Sequence, residues 1–143
     1  MNILVINGPN LNLLGDRQTD IYGDNSLDEL MMWLESSPKG SQHNFKFYQS
    51  NHEGVIIDSI QDEREWADGI IINAGAFTHY SYAIRDALES VGIYSIEVHL
   101  TDIMKREDFR SISVFKDVCE DQIYGLGKNS YLNALKKLEK LVK

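Results

Sequence analysis

Residues 3–23 read ILVINGPNLNLLGDRQTDIYG. Ile3, Leu4, Val5 and Ile6 form a short continuous apolar run, the pattern of a strand covered on both faces, as in a parallel sheet flanked by helices. Turn chemistry follows at once. In Asn7-Gly8-Pro9-Asn10 the glycine is free to take positive φ and the proline fixes its own. A polar loop at the carboxyl end of a first strand is where an open α/β sheet places its ligand crevice. Arg17 and Tyr22 then lie on a segment closed by Gly15 and Gly23.

Outward from that stretch, strand and helix signals alternate. Ser26 and Glu29 form an S-x-x-E capping box before Leu27, Leu30, Met31 and Leu34, the stripe of an amphipathic helix that Pro38 and Gly40 end. Phe45 and Phe47 alternate in a second strand reaching Gln49, and Ser50 with Glu53 repeats the capping pattern before Ile56, Ile57 and Ile60. Asp68-Gly69 turns the chain into the buried run 70–72, left by Asn73-Ala74-Gly75. Ala83, Ile84, Ala87, Leu88 and Val91 give a third helix, with Gly92 at its C-cap. Residues 94–98 read as strand four and residues 118–124 as strand five, which places Cys119 in a strand. The polar stretch between them carries a short helical piece near residues 106–109, and Tyr131, Leu135, Leu138 and Val142 mark a closing helix. Five strands alternating with helices imply right-handed crossovers and one parallel sheet in an α/β domain.

At 143 residues the chain is one domain, spanning residues 1–143. Its net charge of −8, with none of its 14 Lys and Arg residues in a dense run, argues against nucleic acid or an anionic membrane as partner. The apolar runs are far too short to span a bilayer, and no signal-peptide pattern opens the chain. One cysteine forms no internal disulfide, so a reducing cytoplasm is the expected location. Four scattered histidines without a close ligand pattern make a metal site unexpected.

Three clusters carry chemistry. A free phenol is only about one part in a thousand ionised at neutral pH, and half-ionisation there requires ~4 kcal/mol. A cation at about 4 Å, with an effective dielectric of roughly 20, supplies about that much before desolvation opposes it. Arg17, helped by Arg106, is therefore adequate beside Tyr22. Glu97 and His99 stand two apart at the end of a strand, where the carboxylate is able to orient the imidazole as a general acid. Asn10 and Asn73 follow strand ends at the same sheet edge. Each also has a plainer explanation: a tyrosine under a surface loop, a surface Glu-His pair, asparagines capping their own backbone.

The stretch 7–23 resembles the signature of type II 3-dehydroquinate dehydratases, and so do QSNHEG (49–54), INAGAFTHYSYAIRD (72–86), IEVHLTD (96–102) and GLGKNSYLNAL (125–135). The resemblance spans essentially the whole chain in order. It implies a flavodoxin-like three-layer sandwich with a five-stranded parallel sheet in order 2-1-3-4-5, and a lyase that dehydrates 3-dehydroquinate to 3-dehydroshikimate through an enolate. It assigns Tyr22 as the base at C2, Arg17 as its partner, Asn10 as the holder of a water on the enolate oxygen, and His99 as the acid for the C1 hydroxyl, held by Glu97. Asn73 would bind the substrate carboxylate with the amides of Leu100 and Thr101 and the Thr101 hydroxyl. His79 and Arg110 would hold the ring hydroxyls, Arg106 would bind substrate, and Asp86 would come from a neighbouring subunit of a dodecamer built from trimers. No cofactor is implied. Gln18 and Thr19 replace the usual Glu and Pro, Thr101 a usual Ser, and Ile112 a common His.

Two other classes share this fold. A receiver-type signalling domain needs acidic residues after strand one and a phosphorylatable Asp after strand three, where this chain has Asn7 and Asn73. A flavin or dinucleotide binder is suggested only by Gly125-Leu126-Gly127, which lacks the third glycine because Ser130 stands there.

Overall fold

The structure, a computed structural model, describes residues 1–16 and 18–143. Strands β1 (Asn2–Asn7), β2 (Asn44–Gln49), β3 (Gly69–Asn73), β4 (Ser95–Val98) and β5 (Asp121–Ile123) form one parallel sheet in order β2-β1-β3-β4-β5. The helices are a short turn, α1 (Thr19–Tyr22), then α2 (Leu27–Ser36), α3 (Glu53–Asp62), α4 (Tyr82–Val91) and α5 (Asn129–Leu141). This is the flavodoxin-like order.

Side chains alternate across each strand, so the apolar runs of β1 and β3 serve two cores. Ile3, Val5, Ile71 and Ile96 pack with Leu30, Leu34, Tyr131 and Leu135 of α2 and α5. Leu4, Ile6, Ile70 and Ile72 pack with Ile56 and Ile60 of α3 and Ile84 and Leu88 of α4. The helices thus cover both faces. At the carboxyl edge the register sets Asn7 beside Asn73. The Gly8 N–H donates to the Asn73 carbonyl at 2.7 Å, and a Cβ on Gly8 would lie 2.4 Å from the Ala74 carbonyl oxygen, so only glycine fits this approach.

Several local expectations hold and others do not. Ser26 caps α2, accepting from the Glu29 N–H at 3.2 Å. Ser50 does not cap α3: His52 is the N-cap, Ser50 Oγ accepts from the His52 N–H, and the Glu53 carboxylate instead accepts from Ser81 Oγ at 2.6 Å. Cys119 lies outside β5, because the Val118 and Cys119 N–H groups both turn back to the Phe115 carbonyl and cannot enter the ladder. Burial pushes its thiol up, so it packs as a small hydrophobe. Ala83 is exposed on α4, and the helical piece near residues 106–109 is two short 3-10 turns, Ile103–Lys105 and Asp108–Ser111.

Glu63, nearly buried, accepts from Lys46 Nζ at 2.6 Å and from Tyr48 Oη at 2.7 Å, joining α3 to the edge strand. These two donors, Lys46 foremost, hold its carboxyl below the ordinary value of 4.5. Its stabilisation is therefore present above that value and is lost as pH falls through the lower folded one. Glu63→Gln is expected to cost about 1–3 kcal/mol at pH 7 and to flatten the acid limb of stability. Urea unfolding at pH 7 and pH 3.5 checks this, and an unchanged acid limb would refute it.

Candidate active site

The carboxyl edge of β1, β3 and β4 opens into one cleft with about 120 Å³ of accessible space. Asn10, Tyr22, Asn73, His79, His99, Leu100, Thr101, Arg106 and Arg110 all line it. The sequence had placed these nine in one site from four separate stretches.

Glu97, next to last in β4, faces inward and is fully buried. Such a carboxylate needs donors on both oxygens, and it has them: His99 Nε2 at 2.7 Å and Gln122 Nε2 at 3.0 Å on Oε1, Ser113 Oγ at 2.7 Å on Oε2. Gln122 and Ser113 escaped the sequence reading. Since the carboxylate only accepts, Nε2 of His99 carries hydrogen, and Nδ1 is the atom left for a reactant. The imidazole is thus fixed in orientation before anything binds. Glu97→Gln is expected to lower kcat about 10- to 100-fold with KM nearly unchanged, because the neutral amide, its nitrogen on the Ser113 hydroxyl, still holds the ring but withdraws the negative charge that supports a protonated imidazole. Steady-state kinetics at pH 7 decide this; a change confined to KM would contradict it.

The next residues form an anion-binding corner. The Leu100 and Thr101 carbonyls accept from the Gly127 and Gly125 N–H groups, each at 3.0 Å. Both glycines have positive φ, 80° at Gly125 and 55° at Gly127. With the carbonyls turned toward that loop, the Leu100 and Thr101 N–H groups have no protein acceptor among the described residues. Two adjacent N–H groups at a cleft wall suit a carboxylate. The same bonds dispose of the phosphate-loop alternative, since the Gly125 and Gly127 amides are spent on protein. Asn73 adjoins this corner. Its Oδ1 accepts from the Gly75 N–H at 3.3 Å and its Nδ2 donates to Tyr131 Oη at 3.0 Å.

Across the cleft, Arg106 Nη1 donates to Tyr22 Oη at 2.7 Å. The phenol oxygen thus accepts a charge-assisted hydrogen bond from a guanidinium. Arg17, the other cation expected here, lies outside the described residues. Tyr22 closes α1, which opens at Gln18 with a left-handed backbone, φ 41°, whose carbonyl accepts from the Tyr22 N–H at 2.9 Å. Asn10 is left-handed too, φ 69°, held by its N–H to Asn51 Oδ1 at 3.0 Å.

His79 stacks near His99, ring centres 6.5 Å apart, and its Nδ1 lies 2.6 Å from the Ile112 carbonyl. A carbonyl only accepts, so Nδ1 carries the proton and Nε2 accepts. Burial holds the ring's basicity below the ordinary histidine value, leaving it neutral at pH 7. Because the bond uses the Ile112 backbone, isoleucine at that position does not disturb it. Arg110 lies over the Phe109 ring at 4.7 Å and is ion-paired with Glu107. Asp86 does not reach this cleft; it is exposed on α4 and pairs with Arg85 at 2.9 Å. Among the described residues no three His, Cys, Asp or Glu side chains come together as a metal site.

The model of the family described as dehydroquinase class II matches residues 1–139. The chain belongs to the class II dehydroquinases. The 3-dehydroquinate dehydratase of Thermotoga petrophila is 50% identical over 145 residues, covering 99% of each chain. The crystal structure of the type II dehydroquinase from Butyrivibrio crossotus superposes with a TM-score of 0.93 at 51% identity over 97% of each chain. That from Propionibacterium acnes gives 0.90 at 35% identity, over 97% of this chain and 96% of the other. In this class II dehydroquinase chain the matching thus extends from motif to whole fold. No described helix is long and apolar enough to cross a membrane.

Proposed function

We infer that the chain is a type II 3-dehydroquinate dehydratase, converting 3-dehydroquinate to 3-dehydroshikimate in the shikimate route or in quinate breakdown in the cytoplasm. Tyr22, as phenolate beside Arg106 and with Arg17 in the role the family resemblance assigns it, removes a proton from C2. The electron pair becomes an enolate, whose oxygen is stabilised by a water held at Asn10. The enolate then collapses to form the C1–C2 double bond as the C1 hydroxyl leaves, taking the Nδ1 proton of the His99 imidazolium, whose Nε2–H stays on Glu97, to depart as water. Glu97 keeps His99 oriented throughout. Asn73 with the Leu100 and Thr101 amides and the Thr101 hydroxyl holds the carboxylate, Arg106 borders it, and His79 and Arg110 hold the ring hydroxyls. The observation that carries this is one cleft with a cation-paired phenol on one wall and a carboxylate-held imidazole on the other.

The test is direct: the pure protein mixed with 3-dehydroquinate should generate the ultraviolet absorption of the conjugated product. Since acid and base are both side chains, turnover should survive chelation and treatment with borohydride in the presence of substrate. No absorption change would overturn the assignment, and inactivation by borohydride would point to a lysine imine.

The exposed Asp86, remote from its own cleft, fits a role in a neighbouring copy, and the assembly proposed is the dodecamer of trimers. Asp86→Ala is expected to raise KM about tenfold. Light scattering at assay concentration supplies the check: a fully active monomer would refute the shared site.

A further inference from the structure

Beneath the cleft lies a buried chain of polar groups that neither the acid nor the base touches. Tyr131 projects from α5 into the core and is fully buried. Its Oη donates to Asn7 Oδ1 at 2.6 Å and accepts from Asn73 Nδ2 at 3.0 Å. Asn7, itself 1% exposed, uses its Nδ2 on Met31 Sδ at 3.5 Å, and Asn73, 4% exposed, uses its Oδ1 on the Gly75 N–H.

The direction of every bond in this chain follows from one fixed donor. A backbone N–H only donates, so the amide atom of Asn73 near Gly75 is oxygen and the one near Tyr131 is nitrogen. Tyr131 must then accept from Asn73, and its only proton goes to Asn7. Burial pushes the Tyr131 phenol well above its ordinary value, so that proton stays in place at any working pH. One hydrogen of Asn73 Nδ2 is taken by Tyr131, and the planar amide leaves the other as its remaining donor, on a residue that lines the cleft beside the Leu100 and Thr101 N–H groups.

We propose that Tyr131 is a positioning residue, which anchors the nitrogen end of the Asn73 amide, with the polarity the Gly75 N–H sets, so that Asn73 presents its second N–H to the carboxylate of the substrate. The proposal rests on the assignment of Asn73 to that carboxylate. The Gly75 bond is long at 3.3 Å, so the nitrogen end is the firmer hold. Without the Tyr131 hydroxyl, a buried N–H is left unpaired, and the amide, held only by the long Gly75 bond, turns out of its position. Its second N–H is then no longer aimed at the carboxylate.

Tyr131→Phe keeps the ring and removes one atom. It is expected to raise KM for 3-dehydroquinate, and the Kd of the product 3-dehydroshikimate, about tenfold, with kcat within about threefold. A purely structural loss would lower stability and the active fraction without moving either constant. Asn73→Ala should raise KM at least as much, and adding Tyr131→Phe to it should raise KM no further. Multiplying effects in the double variant, or an unchanged KM in Tyr131→Phe, would overturn the proposal while wild-type turnover leaves the enzyme assignment standing. Should Tyr131→Phe fail to fold, Asn7→Ala frees the Tyr131 proton to compete for the Asn73 amide. It should raise KM about threefold in the wild-type background and not in Asn73→Ala; equal effects in both would overturn the proposal equally.

Discussion

Tyr22→Phe is expected to lower kcat by roughly a hundred- to ten-thousandfold while leaving circular dichroism and unfolding unchanged. The substitution removes one oxygen atom from a partly exposed side chain whose ring packs at the margin of the core, so little stability is at stake. What disappears is the atom that accepts from Arg106 at 2.7 Å and that would take the C2 proton. Phenylalanine keeps the Arg106 guanidinium near the ring face, where it sits 5.3 Å from the ring centre, so substrate binding should survive and the loss should fall on kcat. Stopped or steady-state assays with matched folding controls decide the matter. Retention of more than about a tenth of wild-type turnover would exclude Tyr22 as a base of the efficiency ordinary for such groups.

The legibility of this molecule in its sequence followed the range of its interactions. Buried runs such as residues 70–72 and the stripe from Leu27 to Leu34 announce strand and helix because their periodicity is local. Glu97 and His99 are two apart, and strand geometry alone brought them together. The order of the strands was not local, and came only through resemblance to a family. The donors that complete Glu97, Ser113 and Gln122, lie 16 and 25 positions away, and Tyr131 meets Asn73 across 58 positions. No spacing rule reaches that far. Where local rules misfired, a competing bond won: Ser50 found the His52 N–H, and Phe115 captured the N–H groups of residues 118 and 119. Gly125-Leu126-Gly127 was read for glycine content, while its work is to hold the carbonyls of Leu100 and Thr101.

His99→Ala should separate the two halves of the reaction. Forming the enolate requires the Tyr22 phenolate and a stabilising water near Asn10, both on other elements of the cleft. Expelling hydroxide from C1 without a proton is far harder, so the second half should fall by roughly a hundred- to ten-thousandfold. The imidazole is 5% exposed and its loss leaves the Glu97 carboxylate with Ser113 and Gln122 still donating, which keeps that buried charge satisfied and the strand end in place. The variant is thus expected to fold, to bind substrate and to form the enolate reversibly. Nuclear magnetic resonance of 3-dehydroquinate incubated in heavy water with each protein tests the division of labour between Tyr22 and His99 most directly. In His99→Ala the C2 proton should exchange for deuterium with little 3-dehydroshikimate formed, and in Tyr22→Phe neither should occur; exchange abolished together with dehydration in His99→Ala would mean that His99 takes part in removing the proton, and would contradict the assignment of that step to Tyr22.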